Sequence, residues 1–210
     1  MATNLTITTS LAIQAGNPEC QDRAEIIRDT DRTVLVLADG AGGISGGAKA
    51  AECFLALVRQ SVEKCQTPED CLQLLRRFDQ ELARRSGCGE TTGVIVVVAP
   101  SRMFGASLGD SAAWFFTSGG NGELTYGQPR KPLLGSGEAP LPRVFDWPIE
   151  AGTLVVASDG LWNYTTIDAI ASRVQTRDSD DLALRLAELS RMKSGAFPDD
   201  VAVITCQMAL

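Results

Sequence analysis

The sequence contains no histidine. Ser-His-Asp triads, His-ligated zinc or iron sites and phosphohistidine relays all need an imidazole and are excluded together. Acid–base work must then fall to carboxylates, Lys, Tyr, Cys or water held by a metal. Long hydrophobic runs are also missing. No apolar stretch approaches the ~20 residues of a membrane span, and the opening MATNLTITTS lacks the basic-then-apolar pattern of a signal peptide. Clustered positive charge is the third absence. With 19 Lys and Arg against 26 Asp and Glu, a net charge of −7 and a pI near 4.7, nucleic acid and anionic membranes are poor partners. The six cysteines (Cys20, Cys53, Cys65, Cys71, Cys88 and Cys206) make no C-x-x-C pair and no metal-knuckle spacing. They read as reduced thiols of a cytoplasmic protein.

What is present is ordinary globular material, 44% hydrophobic and 21% charged, enough to core one domain over residues 1–210. Leu5–Ser10 alternates and is β-branched, and Thr33–Ala38 is a continuous apolar run; both predict strands. Helical spacing follows over Gly47–Lys64 and Pro68–Arg85, the latter with Thr67 as N-cap. The period then shortens. Thr92–Ala99, Met103–Leu108, Ala112–Thr117 and Glu123–Tyr126 predict successive strands of an antiparallel meander, turning at Gly109-Asp110 and Ser118–Gly122. Gln128–Pro142 reads as loop and Thr153–Ala157 as a buried strand. Helices are expected near Thr166–Val174 and Asp180–Lys193, and Val201–Met208 closes the chain as a strand. Strands and helix pairs in this order predict antiparallel sheets packed together with helices outside, an α+β class.

Aspartates recur at the ends of these runs. Asp39 follows TVLVLA, Asp110 follows FGASLG, Asp159 follows TLVVAS, Asp199 precedes VAVIT and Asp22 precedes AEII. Each of the first three has Gly or Ser next to it, leaving room for backbone to approach a ligand. Carboxylates gathered at strand ends repel unless cations intervene, and hard oxygen donors without His or Cys suit Mg²⁺ or Mn²⁺. Only Arg23 adjoins any of the five, so without metal some of them should titrate above about 3.9.

The motifs DGAGGISGG (Asp39–Gly47), GDSAAW (Gly109–Trp114), SDGLWN (Ser158–Asn163) and PDDVAVI (Pro198–Ile204) resemble, in order and interval, the metal-dependent Ser/Thr protein phosphatases of the 2C type. CQDR (Cys20–Arg23) stands where that family has its first acidic motif, and ETTG (Glu90–Gly93) where it has a Thr-rich strand start. The resemblance implies a four-layer α-β-β-α sandwich of two antiparallel sheets between helix pairs. It implies two Mn²⁺ or Mg²⁺ ions bridged by Asp39, with the Gly40 carbonyl on one of them and Asp159 and Asp199 on the second. Asp22 would hold metal-bound water, and Asp110 with Asp159 would serve a third, weaker ion. Asp22, Asp39 and Asp159 would carry catalysis, and a water activated between the metals would attack phosphoserine or phosphothreonine. The implied partners are a phosphorylated protein and a cognate Ser/Thr kinase or its target, met by a cytoplasmic monomer.

The sequence departs from that pattern in three places. Asn17 stands where a phosphate-gripping Arg is expected, and Arg23 is the nearest replacement. Ala41 stands where some members carry a His. The interval from Asp110 to Asp159 is short, so the flap segment is expected to be trimmed. These departures motivate a second reading, a weak or inactive 2C-like domain that binds phosphoproteins as a regulatory module. Other readings fit less well. Cys53…Arg59 and Cys71…Arg77 match C-x₅-R, but FLALV and LQLLR between them are helical core rather than a phosphate loop. Gly40-Ala41-Gly42 lacks the third glycine of a dinucleotide turn. Cys20 and Cys88 read as small core or loop residues, and Trp114 and Trp162 as packing.

Overall fold

A computed structural model describes residues 5–29, 31–41, 45–176 and 181–209. Ten strands form two five-stranded antiparallel sheets. One sheet has the order β2 (Asp22–Arg28), β3 (Thr33–Asp39), β4 (Gly93–Val98), β5 (Arg102–Leu108), β8 (Arg143–Pro148). The other runs β1 (Thr6–Gln14), β10 (Val201–Ala209), β9 (Gly152–Ala157), β6 (Ala112–Thr117), β7 (Gly120–Glu123). Helices α1 (Gly47–Ser61) and α2 (Pro68–Ala83) cover the first sheet. Helices α3 (Asp159–Trp162), α4 (Ile167–Gln175) and α5 (Leu182–Ala187) lie with the second. The expected four-layer sandwich is the observed one.

The central strands are continuously apolar because both faces are buried, and alternate residues enter different cores. From β3, Val34, Val36 and Ala38 pack under α1 and α2, while Leu35 and Leu37 enter the space between the sheets. β4 divides the same way, Ile95 and Val97 outward, Val94, Val96 and Val98 inward. In the second sheet Val156 and Ile204 face the inner core, and Val155, Ala157 and Val203 face Leu161, Ile170 and Leu186 of the helices. Phe54 of α1 meets Phe78 of α2 edge-on, ring centres 5.8 Å apart, a geometry that adds about 0.5–1.5 kcal/mol to the burial itself. Thr67 caps α2 as expected. Its hydroxyl accepts the Asp70 N–H at 3.1 Å, and the Asp70 carboxylate accepts the Thr67 N–H at 2.9 Å.

Several expectations are corrected. β5 and β6 are not neighbours: Gly109, at φ 115°, carries the chain from one sheet to the other, so the middle of the chain is a crossover rather than a meander. β7 is Gly120–Glu123, not Glu123–Tyr126, because the turn after β6 is tight and pairs Thr117 with Gly120. β8 was not anticipated. It is a half-exposed edge strand ending at Pro148, which hides the apolar pattern. The helix expected from Asp180 is α5 alone, tightening into a 3₁₀ turn at Glu188–Ser190, and residue 180 lies outside the described residues. Both C-x₅-R matches sit on α1 and α2, with Arg59 paired to Glu25 and Arg77 to Glu81, which disposes of a thiolate phosphate loop. No helix among the described residues is long and apolar enough to cross a membrane.

The loop before β8 is tied down by one buried side chain. Asp79 of α2, 3% exposed, accepts the N–H groups of Gly135 (2.9 Å), Gly137 (3.0 Å) and Ala139 (3.3 Å). The same loop carries Leu134, which exchanges backbone bonds with Thr91, itself bridged to Gly40. Asp79→Ala should strip acceptors from this loop and cost about 2–3 kcal/mol in urea unfolding. A loss under about 0.5 kcal/mol would show that the loop holds itself.

Candidate active site

The five candidate aspartates stand on separate elements, and three of them are brought together. Asp22 opens β2 and stands directly opposite Asp39, the last residue of β3. Asp110 sits on the crossover from β5 to β6, Asp159 opens α3, and Asp199 lies in the turn before β10. Carboxylate oxygens of Asp39, Asp110 and Asp159 all lie within 4.8 Å of one another. Asp22 lies against Asp39 at the side of this group, and the charge of Asp199 is felt by Asp159.

The backbone around Asp39 is held tightly. Its N–H donates to Thr92 Oγ1 at 2.9 Å, and its carbonyl accepts the Thr92 N–H at 2.8 Å and the Thr91 hydroxyl at 2.9 Å. Thr92 Oγ1 in turn lies 2.8 Å from Ser111 Oγ, joining this brace to the Asp110 crossover. Gly40 admits no side chain: a Cβ there would lie 2.4 Å from the Gly47 carbonyl carbon, inside any tolerable contact. Residues 42–44 of the DGAGGISGG motif lie outside the described residues.

Sequence reasoning missed the groups that orient the aspartates. Ser158 Oγ donates to Asp22 Oδ2 at 2.6 Å and accepts the Ala202 N–H at 2.9 Å, locking a carboxylate that is 1% exposed. Asn163 Nδ2 donates to Asp159 Oδ2 at 2.9 Å. Asp200, beside the Asp199 preferred as ligand, has a separate task that its sequence position does not show. It is buried, and its carboxylate takes three backbone N–H groups: Gly16 (2.9 Å), Asn17 (3.0 Å) and Gln21 (2.8 Å). Asp200 therefore clamps the β1–β2 turn, while its neighbour Asp199 stays half-buried and accepts from Asn17. A second acid beside the first in PDD was the available signal.

The departures also acquire a physical account. Asn17 Nδ2 donates to Asp199 Oδ1 at 3.1 Å, so this side chain steadies an aspartate. Arg23 donates to the carbonyls of Cys20 (2.8 Å) and Asp22 (2.9 Å), bracing its own turn. No ion pair among the described residues involves any of the five aspartates. Trp162 packs 6.2 Å from Trp114 and donates its indole N–H to Ala157, as expected of packing residues.

Like charge and burial act together here. Burial first, then the charges of Asp22, Asp159 and Asp110, push Asp39 up to about 10. Asp22 is pushed up to about 7, chiefly by burial, with Ser158 pulling the other way. Burial and then Asp110 and Asp199 raise Asp159. Such a set is poised to take up divalent cations: all-oxygen, uncompensated, and held in place by neighbours rather than by one another.

The protein phosphatase 2C family model matches residues 11–131, more than half the chain. The chain belongs to the protein phosphatase 2C family. Its fold is shared with a bacterial serine phosphatase (TM-score 0.84, 18% identity, 97% of this chain and 98% of that one). It is likewise similar to the serine/threonine phosphatase Stp1 from Staphylococcus aureus (0.80, 17%, 100% and 97%). A third similar structure is RsbX in complex with magnesium (0.75, 18%, 97% and 96%). No curated sequence matches. The family is one of metal-dependent serine/threonine phosphatases acting on phosphoproteins.

The raised carboxylates fix the sign of a pH effect. An Asp whose folded pKa exceeds its unfolded value, about 3.9, stabilises the fold below that value and ceases to as pH rises through the folded one. Metal-free protein should therefore lose stability as pH climbs from about 4 through about 7, where Asp22 titrates, and on towards about 10 for Asp39. Melting in EDTA should be higher at about pH 5 than at about pH 8, and Asp39→Asn should flatten the difference. A wild-type Tm that rises over this interval would contradict the cluster. Asp200→Ala, which orphans three backbone donors, should cost about 3 kcal/mol or more by urea unfolding and loosen Asp199. A loss below about 1 kcal/mol would show that the turn does not depend on it.

Proposed function

We propose that this protein is an active phosphoserine/phosphothreonine phosphatase that uses Mn²⁺ or Mg²⁺ at the aspartate cluster. The observation that carries this is the approach of three carboxylates, from Asp39, Asp110 and Asp159, within 4.8 Å, with no Lys or Arg paired to them among the described residues. Asp39 is assigned as the ligand common to two ions, with the Gly40 carbonyl beside it. Asp159 and Asp199 are assigned to the second ion, Asp110 and Asp159 to a weaker third, and Asp22 to the water network. When bound, such ions lower the pKa of water towards neutrality and clamp phosphoryl oxygens for in-line attack.

The chain's own residues then have distinct tasks. Thr91 and Thr92 hold the Asp39 backbone, so the common ligand does not move as charge develops. Ser158 and Asn163 each satisfy one oxygen of Asp22 and Asp159, which limits the directions in which the carboxylates can turn. Asn17 donates to Asp199 and Arg23 Nη1 donates to two carbonyls of its own turn, so position 17, where a phosphate-gripping Arg is expected, holds no guanidinium. Phosphate affinity is thereby left to the cations, and small phosphoesters should bind weakly. No helix lies between Asp110 and Asp159, consistent with a trimmed flap over residues of a single 1–210 domain. A phosphorylated kinase or kinase target in the cytoplasm, met by a monomer, is the matching partner.

Hydrolysis of an aryl phosphate and of a phosphothreonine peptide should require Mn²⁺ or Mg²⁺ and stop with EDTA. Asp39→Asn should lower kcat by more than the roughly 10–100-fold typical of losing a group that merely orients a ligand. Full turnover in chelator would overturn the metal reading. Phosphopeptide binding without any turnover in Mn²⁺ would favour the regulatory-module reading instead.

A further inference from the structure

Two cysteines outside the aspartate site stand in contact. Cys53 lies on α1 and Cys88 in the connection between α2 and β4, with sulfurs 3.5 Å apart and the Cys88 thiol donating to Cys53 Sγ. Both are partly open to solvent. Lys49 precedes Cys53 by one helical turn, on the same face of α1. Its Nζ donates to the Ser86 carbonyl at 2.9 Å, and a Cβ on Gly87 would lie 3.2 Å from that nitrogen. An ammonium group therefore sits over the strand of backbone that carries Cys88, where it favours thiolate. Burial acts against it and, with the Cys53 contact, raises the Cys88 thiol. Cys53, which accepts the S–H bond, is the better first nucleophile.

A second pair gives the comparison. Cys71, on α2, and Cys65, just before it, are also in contact, yet both are fully buried in the core that α1 and α2 cover. Proximity alone does not make a reactive dithiol. Access separates the two pairs.

We infer that Cys53 and Cys88 form a reversible oxidation site that hydrogen peroxide closes to a disulfide. The Cys53 thiolate attacks one peroxide oxygen, the O–O bond breaks, and the departing hydroxide takes a proton to leave as water. Cys53 is then a sulfenic acid. The Cys88 sulfur attacks Cys53 Sγ, the S–O bond breaks, and the second oxygen leaves as water with the Cys88 proton. Two thiols are oxidised by two electrons and one peroxide is reduced to two waters. The sulfurs must close from 3.5 Å to about 2.05 Å. Gly87, at φ 73°, gives the backbone just before Cys88 a conformation that few other residues adopt.

The cross-link would reach the site through backbone. The Gly89 N–H donates to the Gly46 carbonyl at 3.0 Å, and the Glu90 carbonyl accepts the Ala41 N–H at 2.9 Å. The segment carrying Cys88 continues into Thr91 and Thr92, which brace Asp39. Oxidation thus ties α1 to the brace. The inference does not depend on catalytic competence.

The full chain, treated with hydrogen peroxide and alkylated without reductant, tests this directly. Before alkylation the intact mass should fall by about 2 Da, proteolytic mapping of the alkylated protein should join the Cys53 and Cys88 peptides, and dithiothreitol should reverse both. Cys88→Ser should remove the cross-link and leave Cys53 as a sulfenic acid that dimedone captures. A cross-link through Cys65 and Cys71 in place of Cys53 and Cys88, irreversible sulfinic acid at either exposed cysteine without a cross-link, or no change in mass would each overturn the inference. Wild-type mapping decides the matter even if the variant does not fold.

Discussion

The structure turns on the repulsion among carboxylates held at one end of a β-sandwich. Asp22, Asp39 and Asp159 are all raised above the ordinary carboxylate range, burial being the largest cause of each. In a flexible loop such groups would turn away into water. Here they cannot, because each is anchored to an element whose position is fixed by a core that has nothing to do with charge. β3 is apolar on both faces, and its register with β2 places Asp22 against Asp39 whatever the two carboxylates prefer. Hydrophobic burial holds the arrangement, and hydrogen bonds from Thr92, Ser158 and Asn163 set its detail.

Adjacent acids in PDD show how position divides labour. Asp199 and Asp200 are one residue apart, so their side chains leave the chain in different directions as it enters β10. Asp200 is turned inward and spends its charge on three N–H groups of the β1–β2 turn. A carboxylate so satisfied has few lone pairs left for a cation. Asp199 accepts from Asn17 and from the Asp200 N–H, and remains half-open. Gly160 meets this corner closely: a Cβ on it would lie 1.9 Å from the Asp200 carbonyl. One turn, one helix start and one strand start are thereby packed into a single joint.

The parts of this architecture legible in the sequence are those where one physical pattern dominates. TVLVLA and VAVITC are buried on both faces, so a continuous apolar run ending at polar residues marks both the strand and its functional end. Thr67 and Pro68 mark the start of α2 because capping is local chemistry. β8 was hidden because an edge strand keeps one face wet, and RVFDWP shows no run. The crossing at Gly109-Asp110 was hidden because a Gly-Asp turn looks alike whether it returns to the same sheet or leaves for another. The candidate aspartates could be read as residues, whereas their supports could not. Ser158 and Asp200 act through partners 136 and about 180 positions away, pairings that only the fold creates, while Asn163 reaches Asp159 within one helical turn.

The absence of histidine and the commitment of Asn17 and Arg23 have a joint consequence. Every positive charge that balances the cluster must come from solution, since no ion pair among the described residues reaches it. A cation that binds the folded state and not the unfolded chain stabilises by RT ln(1 + [L]/Kd), about 2.7 kcal/mol at a hundredfold excess over Kd. The cost of gathering the carboxylates is thus largest in the metal-free protein, and any divalent cation that binds them would offset it. Folding and cation binding would then be coupled through one set of charges. A substitution that relieves the repulsion, such as amidation of Asp39, should strengthen the empty fold by the same physical step that weakens its attraction for cations.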